Sequence, residues 1–537
     1  MKKPSPEFTP DVEVFDTTLR DGAQREGISY SVEDKLRIAR KLDELGVTYI
    51  EGGWPGSNPK DAAFFEAVLR HPWSGAQIVA FGATRRAGLK PGDDPSLRAL
   101  VDAGTEVCSI FGKSSLFQVR EVLRVTPGEN LLMIEETVAW LRAQGRRVIY
   151  DAEHFFDGYR EDAAYALDTL RAAARGGAET LVLCDTNGGS LPWQVEAAVR
   201  AAGDIAGAAA RIGIHTHDDA GCGVANTLAA VRAGARHVQG TINGYGERCG
   251  NANLCVALPG IELKLGLRAL PPGALPRLRE TAHFVAEVAN LALDEHTAYV
   301  GRSAFAHKAG VHAAAQQRHP DAYQHVDPAL VGNEARVVVS ELSGRANVVA
   351  KAGELGLSDL DAATGAKVVA SVKELEAQGF SFETAEASVA LLVRRQAPGY
   401  AAPFRLLDYR VMVARHGERR LAEATIKLLA GEHEVHTAAE GDGPVHAFDR
   451  ALRKALAPHF PALAGVRLAD YKVRILNSAD GTAATTRVLI DWSDGARGWS
   501  TVGAGANILD ATWLALADGY EFAVSLAAPA ALVEASA

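Results

Sequence analysis

The chain is short of cysteine, of positive charge and of long apolar runs, and each shortage closes off a class of protein. Its five cysteines among 537 residues, Cys108, Cys184, Cys222, Cys249 and Cys255, are odd in number and sit mostly in apolar stretches. No disulfide framework is implied, and free thiols in a reducing compartment are expected. Lys plus Arg total 56 against 66 for Asp plus Glu, a formal net charge of -10. Without a basic surplus, nucleic acid is not an expected partner. No run approaches the roughly 18 uninterrupted apolar residues of a membrane span, and MKKPSPEFTPDVEV lacks the apolar core of a secretory signal. A cytoplasmic protein with no membrane partner is therefore expected. What is present is ordinary for a globular chain, 47% hydrophobic and 23% charged residues, at a length that calls for two or three domains.

Over about 270 residues one theme repeats: a short β-branched run ending in polar residues, then a stretch with apolar residues three and four apart. Eight such runs occur: VEVFDTTLRD, VTYIEGGW, AQIVAFG, TEVCSIFG, RRVIYDAEH, ETLVLCDTNGG, RIGIHTHDD and RHVQGTINGYGER. Between the first two, Ser31 and Asp34 form a capping-box pattern, Leu36, Ala39, Leu42 and Leu45 share a helical face, and Gly46 can end the helix. Eight strands alternating with helices over about 250 residues predict a (β/α)8 TIM barrel, whose strands are covered on both faces and read as nearly continuous apolar runs. A doubly wound open sheet is the alternative on pattern alone.

A barrel of this kind builds its site where strands end and loops begin. Arg20 and Asp21 follow the first run, Glu51 the second, Glu153 and His154 the fifth, Asp185 and Thr186 the sixth, His215 and His217 the seventh, and Glu247 to Asn251 the eighth. Strand side chains alternate with period two, so His215 and His217 point to one side. Two neutral imidazoles with a carboxylate from another strand, for which Asp21 is the candidate, form a divalent-metal site able to polarise a carbonyl. The alternative is a pair of structural histidines. Asn251 offers an amide oxygen as a further ligand or serves only the turn. Arg20 can stabilise a developing alkoxide or hold a carboxylate, or else form an internal salt bridge. Thr186 can bind a substrate carboxylate or cap a helix. Together these residues describe a pocket for a small α-keto acid.

After about residue 296 the barrel pattern stops, and a His-, Ala- and Gly-rich stretch precedes helical segments around 358 to 395. The last 140 or so residues contain an internal repeat in which Tyr409 aligns with Tyr471 and Gly441 with Gly503, a constant offset of 62. Each copy reads as three strands, a glycine turn and a helix. The turns GDGP and GAGA precede helix N-termini, where free N–H groups suit a carboxylate; an ordinary strand-to-helix turn is the alternative. The expected domains are a catalytic barrel over 1–295, a mainly helical linker subdomain over 296–398 and an α+β domain of two βββα units over 399–537.

Four segments, DTTLRDGAQ, HTHDDAGCGVANTLAAV, NGYGERCGNANL and AFAHKAGVHAAA, resemble the α-isopropylmalate synthase, homocitrate synthase and citramalate synthase family of metal-dependent Claisen-condensing enzymes. The resemblance runs over nearly the full length, with the motifs in the family's order. It implies an acyltransferase that turns an acyl group into an alkyl group on transfer. It also implies a divalent ion (Mg, Mn, Co or Zn) at positions matching Asp21, His215, His217 and Asn251. Arg20 and Glu153 would lie near the reacting centre and Thr186 on the keto acid's carboxylate. His312 matches the family's base or acid near acetyl-CoA, and Tyr323 an assisting tyrosine; without the resemblance, His312 beside His307 reads as a helix histidine. In the family this segment reaches into a neighbouring subunit's barrel, which implies a homodimer.

Two departures narrow the resemblance. Isopropylmalate synthases usually read D-G-E-Q after the arginine and H-x-H-N-D in the seventh strand, where this chain has Ala23 and Asp218. With EGGWPGSNPKD, these variants look more like the long citramalate synthases, which condense acetyl-CoA with pyruvate on the route to isoleucine. The C-terminal double unit would then be a regulatory domain with isoleucine as feedback inhibitor. The alternatives are an isopropylmalate or homocitrate synthase, a lyase or aldolase on the same barrel, and a catalytically idle amino-acid sensor.

Overall fold

The computed structural model describes residues 8–206, 210–307, 312, 315, 318–337, 339–340, 362–396, 399–417 and 419–527. Eight parallel strands close into a barrel in chain order. They are β1 (Glu13–Asp16), β2 (Tyr49–Gly53), β3 (Gln77–Ala83), β4 (Val107–Lys113), β5 (Arg147–Glu153), β6 (Thr180–Asp185), β7 (Arg211–Thr216) and β8 (His237–Gly240). The closure is made by β1 against β8, from Glu13 opposite His237 to Asp16 opposite Gly240. Phe15, Tyr49, Val79, Val107, Ile149, Val182 and Cys184 form a buried cluster of their own, as expected of a barrel whose lumen is filled by side chains rather than solvent.

The outer helices obey the local signals. Helix Val32–Leu45 starts with a complete capping box, the Ser31 side chain accepting from Asp34 N while the Asp34 side chain accepts from Ser31 N. It ends on Gly46 at φ 89°, a left-handed conformation that costs glycine little. Leu36, Ile38, Ala39, Leu42 and Leu45 are buried on its inner side.

The first strand is shorter than its sequence run. VEVFDTTLRD reads as strand through Arg20 and Asp21, yet β1 stops at Asp16. The Asp16 carboxylate accepts from Thr18 N at 2.8 Å and from Thr18 Oγ1 at 2.9 Å, which bends the chain into a turn in place of the ladder. Arg20 and Asp21 therefore lie in a turn above the barrel mouth, not in the strand.

The chain divides into two compact units. One comprises the residues up to Phe305 with Val326–Ala335; the other comprises Ala306–His325 and Arg336 onward. The second unit contains the two-residue parallel pair β9 (Ala306–His307) and β10 (Arg336–Val337), the helices Ala362–Ala377 and Glu386–Arg394, and two three-stranded antiparallel sheets. The first sheet, β11 (Phe404–His416), β12 (Arg419–Ala430) and β13 (His433–Gly441), is followed by helix Pro444–Leu456. The second, β14 (Arg467–Ile475), β15 (Thr486–Ser493) and β16 (Gly498–Gly505), is followed by helix Ile508–Ala527. Both first strands carry an irregularity at the same place, between Leu406 and Asp408 and between Leu468 and Asp470.

The repeat is not held at one offset. Tyr409 and Tyr471 are 62 apart, but their cross-strand partners Ile426 and Ile490 are 64 apart. Between the matched pairs Val413–Ala422 and Ile475–Thr486 the second copy carries two more residues, so every later position slips by two. Gly441, opposite Ala422, corresponds to Gly505, opposite Thr486, and not to Gly503. The helix cores follow the new offset: Ala447, Ala451 and Leu452 match Ala511, Ala515 and Leu516, all buried.

No helix among the described residues is long and apolar enough to cross a membrane. All five cysteines are free: Cys108, Cys184 and Cys255 are buried, Cys222 is half-buried and Cys249 is exposed.

Candidate functional site

A cavity of about 540 Å³ opens among the loops after the barrel strands. Its lining includes Arg20, Asp21, Glu153, Thr186, His215 and His217, drawn from the loops or ends of β1, β5, β6 and β7. One ligand atom each of Asp21, His215 and His217 lies within 4.8 Å of the others, and all three residues are buried. The two Nε2 atoms are 3.3 Å apart, and His215 Nε2 is 3.9 Å from Asp21 Oδ2. His217 lies one residue beyond β7, but its backbone bridges to Asn251, which continues the extended path and keeps both rings on one side.

The electrostatics suit a cation. Burial pushes the His215 imidazole down to about 4, the neighbouring His217 adding to the effect. His217 is lowered too, again by burial first. Burial opposes ionisation of Asp21, but Arg20 and then the two imidazoles outweigh it and hold the carboxyl well below its usual range. Two neutral imidazoles and one carboxylate, gathered with lone pairs converging, are a donor set that a divalent ion fits. Asn251 sits beside them, its Nδ2 donating to Asp21 Oδ1 at 2.8 Å and to Tyr245 O at 3.0 Å. Its buried Oδ1 has no hydrogen-bond partner, and neither does His217 Nδ1. A buried acceptor without a hydrogen-bond partner beside this donor set suits a further ligand to a divalent cation. Asn251 is brought in by a tight loop: Gly250 at φ 90° would place a side chain 1.9 Å from Gly244 O, so only glycine fits there.

Arg20 is held on three sides. Its Nε donates to Glu51 Oε2 at 2.6 Å and its Nη1 to Asp21 Oδ2 at 2.7 Å, and its guanidinium carbon lies 3.8 Å above the Phe81 ring. Burial disfavours its charge, but Glu51 and then Asp21 more than compensate, so it stays cationic. Glu51 is fully buried and also accepts from Thr17 Oγ1 at 2.5 Å. Phe81 stacks on Phe111 at 5.4 Å, and Trp54 meets both edge-on at 5.7 Å, giving one aromatic wall.

Thr186 Oγ1 accepts the backbone N–H of His154 at 2.8 Å, which turns its own hydroxyl hydrogen away from that contact and leaves it available as a donor. Glu153 is ion-paired with Lys113. His312 and Tyr323 belong to the second unit, where their rings stack at 4.4 Å; His307 is 6.1 Å from the same tyrosine. The structure thus gathers Arg20, Asp21, Glu153, Thr186, His215, His217 and Asn251 at the barrel mouth, and pairs His312 with Tyr323.

Reading the sequence did not single out Gln239, Asp151 or Ser109, nor give Glu51 a role. Their signal was available: in parallel strands covered on both faces, a polar residue inside the apolar run needs a partner. Asp151 is an example, pushed up to about 7 by burial and then by Glu51.

The fold and this centre define a (β/α)8-barrel enzyme, and the chain belongs to the HMGL-like family, whose model matches residues 11–285. Residues 299–379 match the homocitrate synthase post-HMGL domain-like family and residues 383–524 the LeuA allosteric (dimerisation) domain. Within this set the chain is similar to curated (R)-citramalate synthases. It is 50% identical to the one from Geobacter sulfurreducens over 95% of this chain and 97% of that protein. It is 51% identical to the one from Streptomyces coelicolor, over 95% and 96%. A probable 2-isopropylmalate synthase from Methanopyrus kandleri is 31% identical over 90% of this chain and 93% of that one. Among solved structures, a hydroxymethylglutaryl-CoA lyase from Pseudomonas aeruginosa aligns with a TM-score of 0.45 at 20% identity, covering 55% of this chain and 97% of that one.

Proposed function

We propose that the protein carries out the (R)-citramalate synthase reaction, joining acetyl-CoA to pyruvate and hydrolysing the thioester to give citramalate and CoA. The observation that carries this reading is identity of about half, across 95% of the chain, with curated (R)-citramalate synthases. The site geometry supports a division of labour among the residues.

Asp21, His215 and His217, with the Asn251 amide oxygen, would hold a divalent cation, which supplies Lewis acidity toward the carbonyl of a bound keto acid. Thr186 donates its free hydroxyl hydrogen to the substrate carboxylate. A base, His312 or Glu153 acting through water, takes a proton from the acetyl-CoA methyl group. Histidine suits such a transfer near neutral pH. The resulting carbanion bonds to the pyruvate carbonyl carbon, and the carbonyl π electrons move onto oxygen. Arg20, held by Glu51 and Phe81, faces that developing negative charge and stabilises it. Protonation of the alkoxide and attack of water on the thioester complete the balance.

The wall of Phe81, Phe111 and Trp54 comes from three of the strands or strand ends, and its bulk favours a keto acid with a short side chain. The His312 segment is proposed to act in a homodimer, consistent with the match to a dimerisation domain. The C-terminal double unit is proposed to bind isoleucine and restrain that segment; deletion of residues 400–537 should abolish inhibition, and inhibition that persists would refute the link.

The deciding experiment is a panel of α-keto acids assayed by CoA release, with and without isoleucine. Pyruvate should be preferred over 2-oxoisovalerate and 2-oxoglutarate. Preference for either of the others would move the protein to the isopropylmalate or homocitrate branch. No keto-acid-dependent thiol release at all would favour an idle sensor.

A further inference from the structure

A line of polar side chains crosses the barrel below the candidate metal centre. Ser109 on β4 donates from Oγ to Asp151 Oδ2 at 2.7 Å. Across the lumen, Gln239 on β8 donates from Nε2 to Asp151 Oδ1 at 2.9 Å. The other end of the same amide, Oε1, lies 2.8 Å from His215 Nδ1, and His215 and Gln239 are register partners on adjacent strands. Ser109 and Gln239 are completely buried, and Asp151 and His215 are 4% and 5% exposed. Buried polar groups are costly when unpaired, and here each link of the line is paired.

The direction of the bonds follows from the chemistry of each group. The Gln239 amide presents its N–H₂ to Asp151 Oδ1, which accepts, and so turns its oxygen toward His215. An amide oxygen only accepts, so His215 Nδ1 must carry the hydrogen. A neutral imidazole protonated on Nδ1 has its lone pair on Nε2, the atom that faces Asp21 and His217. A proton on Asp151 Oδ2 would reverse the Ser109 bond, the hydroxyl then accepting, while Oδ1 would still accept from Gln239. Without Asp151, the amide could turn over and offer a donor to Nδ1, which would move the imidazole hydrogen onto the metal-facing nitrogen.

We propose that Asp151 and Gln239 form a positioning relay that holds His215 in the ring orientation and tautomer a divalent cation needs. Both are positioning residues acting through His215, and the inference rests on the metal-centre reading above. The relay begins on β4 and β5 and acts on β7, so ligand geometry depends on the barrel's being closed.

The test uses full-length, metal-stripped protein without keto acid, titrated with Mn²⁺ in a calorimeter, with circular dichroism as the check on folding. Gln239→Leu and Asp151→Leu should each weaken Mn²⁺ binding about 10–100-fold. Asp151→Asn keeps an acceptor for the Gln239 amide and should bind close to wild type, a rescue that simple loss of packing would not produce. In ¹⁵N-histidine-labelled wild type, His215 should be protonated on Nδ1, its resonance assigned by its loss in His215→Asn. A folded Gln239→Leu that binds Mn²⁺ as tightly as wild type, or a wild-type His215 protonated on Nε2, would overturn the relay. Should the leucine variants fail to fold, the wild-type tautomer decides. A wild type that binds no Mn²⁺ would overturn the metal reading itself, while the tautomer measurement would still judge the relay.

Discussion

Strands β13 and β14 of the C-terminal pair of sheets are buried on fewer positions than the strands of the barrel. Every residue of β6 is buried, and all of β2 and β8 as well, because helices cover the barrel's outside and side chains fill its inside. In the second unit the strands differ among themselves: β15 buries Val488, Ile490 and Trp492 and leaves the residues between them half-exposed, β13 is exposed or half-exposed throughout, and β16 is buried continuously, from Trp499 to Ala504. The lesson concerns polar residues. In an alternating strand a polar side chain has water to face and reveals little. In a barrel strand it must find a partner or a ligand, so Gln239, Asp151 and His215 are each chemically informative.

Variants that touch one region and spare the other test this contrast. The largest effect is expected at the barrel mouth: Asp21→Ala or His217→Ala should lower turnover on the order of 10³-fold or more by removing Lewis-acid stabilisation. Calorimetry should show divalent-metal binding lost with it. Trp492→Ala in the second unit should instead cost about 3–5 kcal/mol in urea unfolding, with the metal affinity of the folded protein unchanged. Glu51→Gln removes a charge-assisted bond to Arg20 worth about 1.5–3 kcal/mol, and kcat should fall about 10–100-fold while metal binding persists.

A pH scan of the chelated protein adds a smaller effect of known sign. His215 titrates near 4 in the folded chain against about 6.5 unfolded, so the unfolded state binds more protons in that interval. Stability is complete above about 6.5 and should be lost as the pH falls toward 4; His215→Asn should flatten that slope in thermal melts. Smallest of all, Ser31→Ala removes a cap far from the chemistry and should cost about 1 kcal/mol with kcat unaltered.

Much of the architecture could be read in one dimension. Eight polar-ended apolar runs became the eight strands of the barrel in order, and the capping box at Ser31 and Asp34 formed as its spacing requires. Of the polar residues at the run ends, Arg20, Asp21, Glu153, Thr186, His215 and His217 came to line one cavity. Other features were hidden because they depend on contacts distant in sequence or on small differences in length. The β1 ladder stops at Asp16 where a side chain outcompetes it, and the repeat slips from 62 to 64 because one hairpin connection is longer.

The period of each element, the order of the strands and the side chains at their ends were already present in the linear chain, since these follow from local sterics and the alternation of apolar residues. Which of those ends meet was set by folding in three dimensions. Asp21 and His217 are separated by almost 200 residues, and Asp151 reaches Gln239 across a lumen that exists only once β1 has joined β8. Closing the barrel replaces water with a few protein partners, and in that dry interior each polar atom must answer to one particular neighbour.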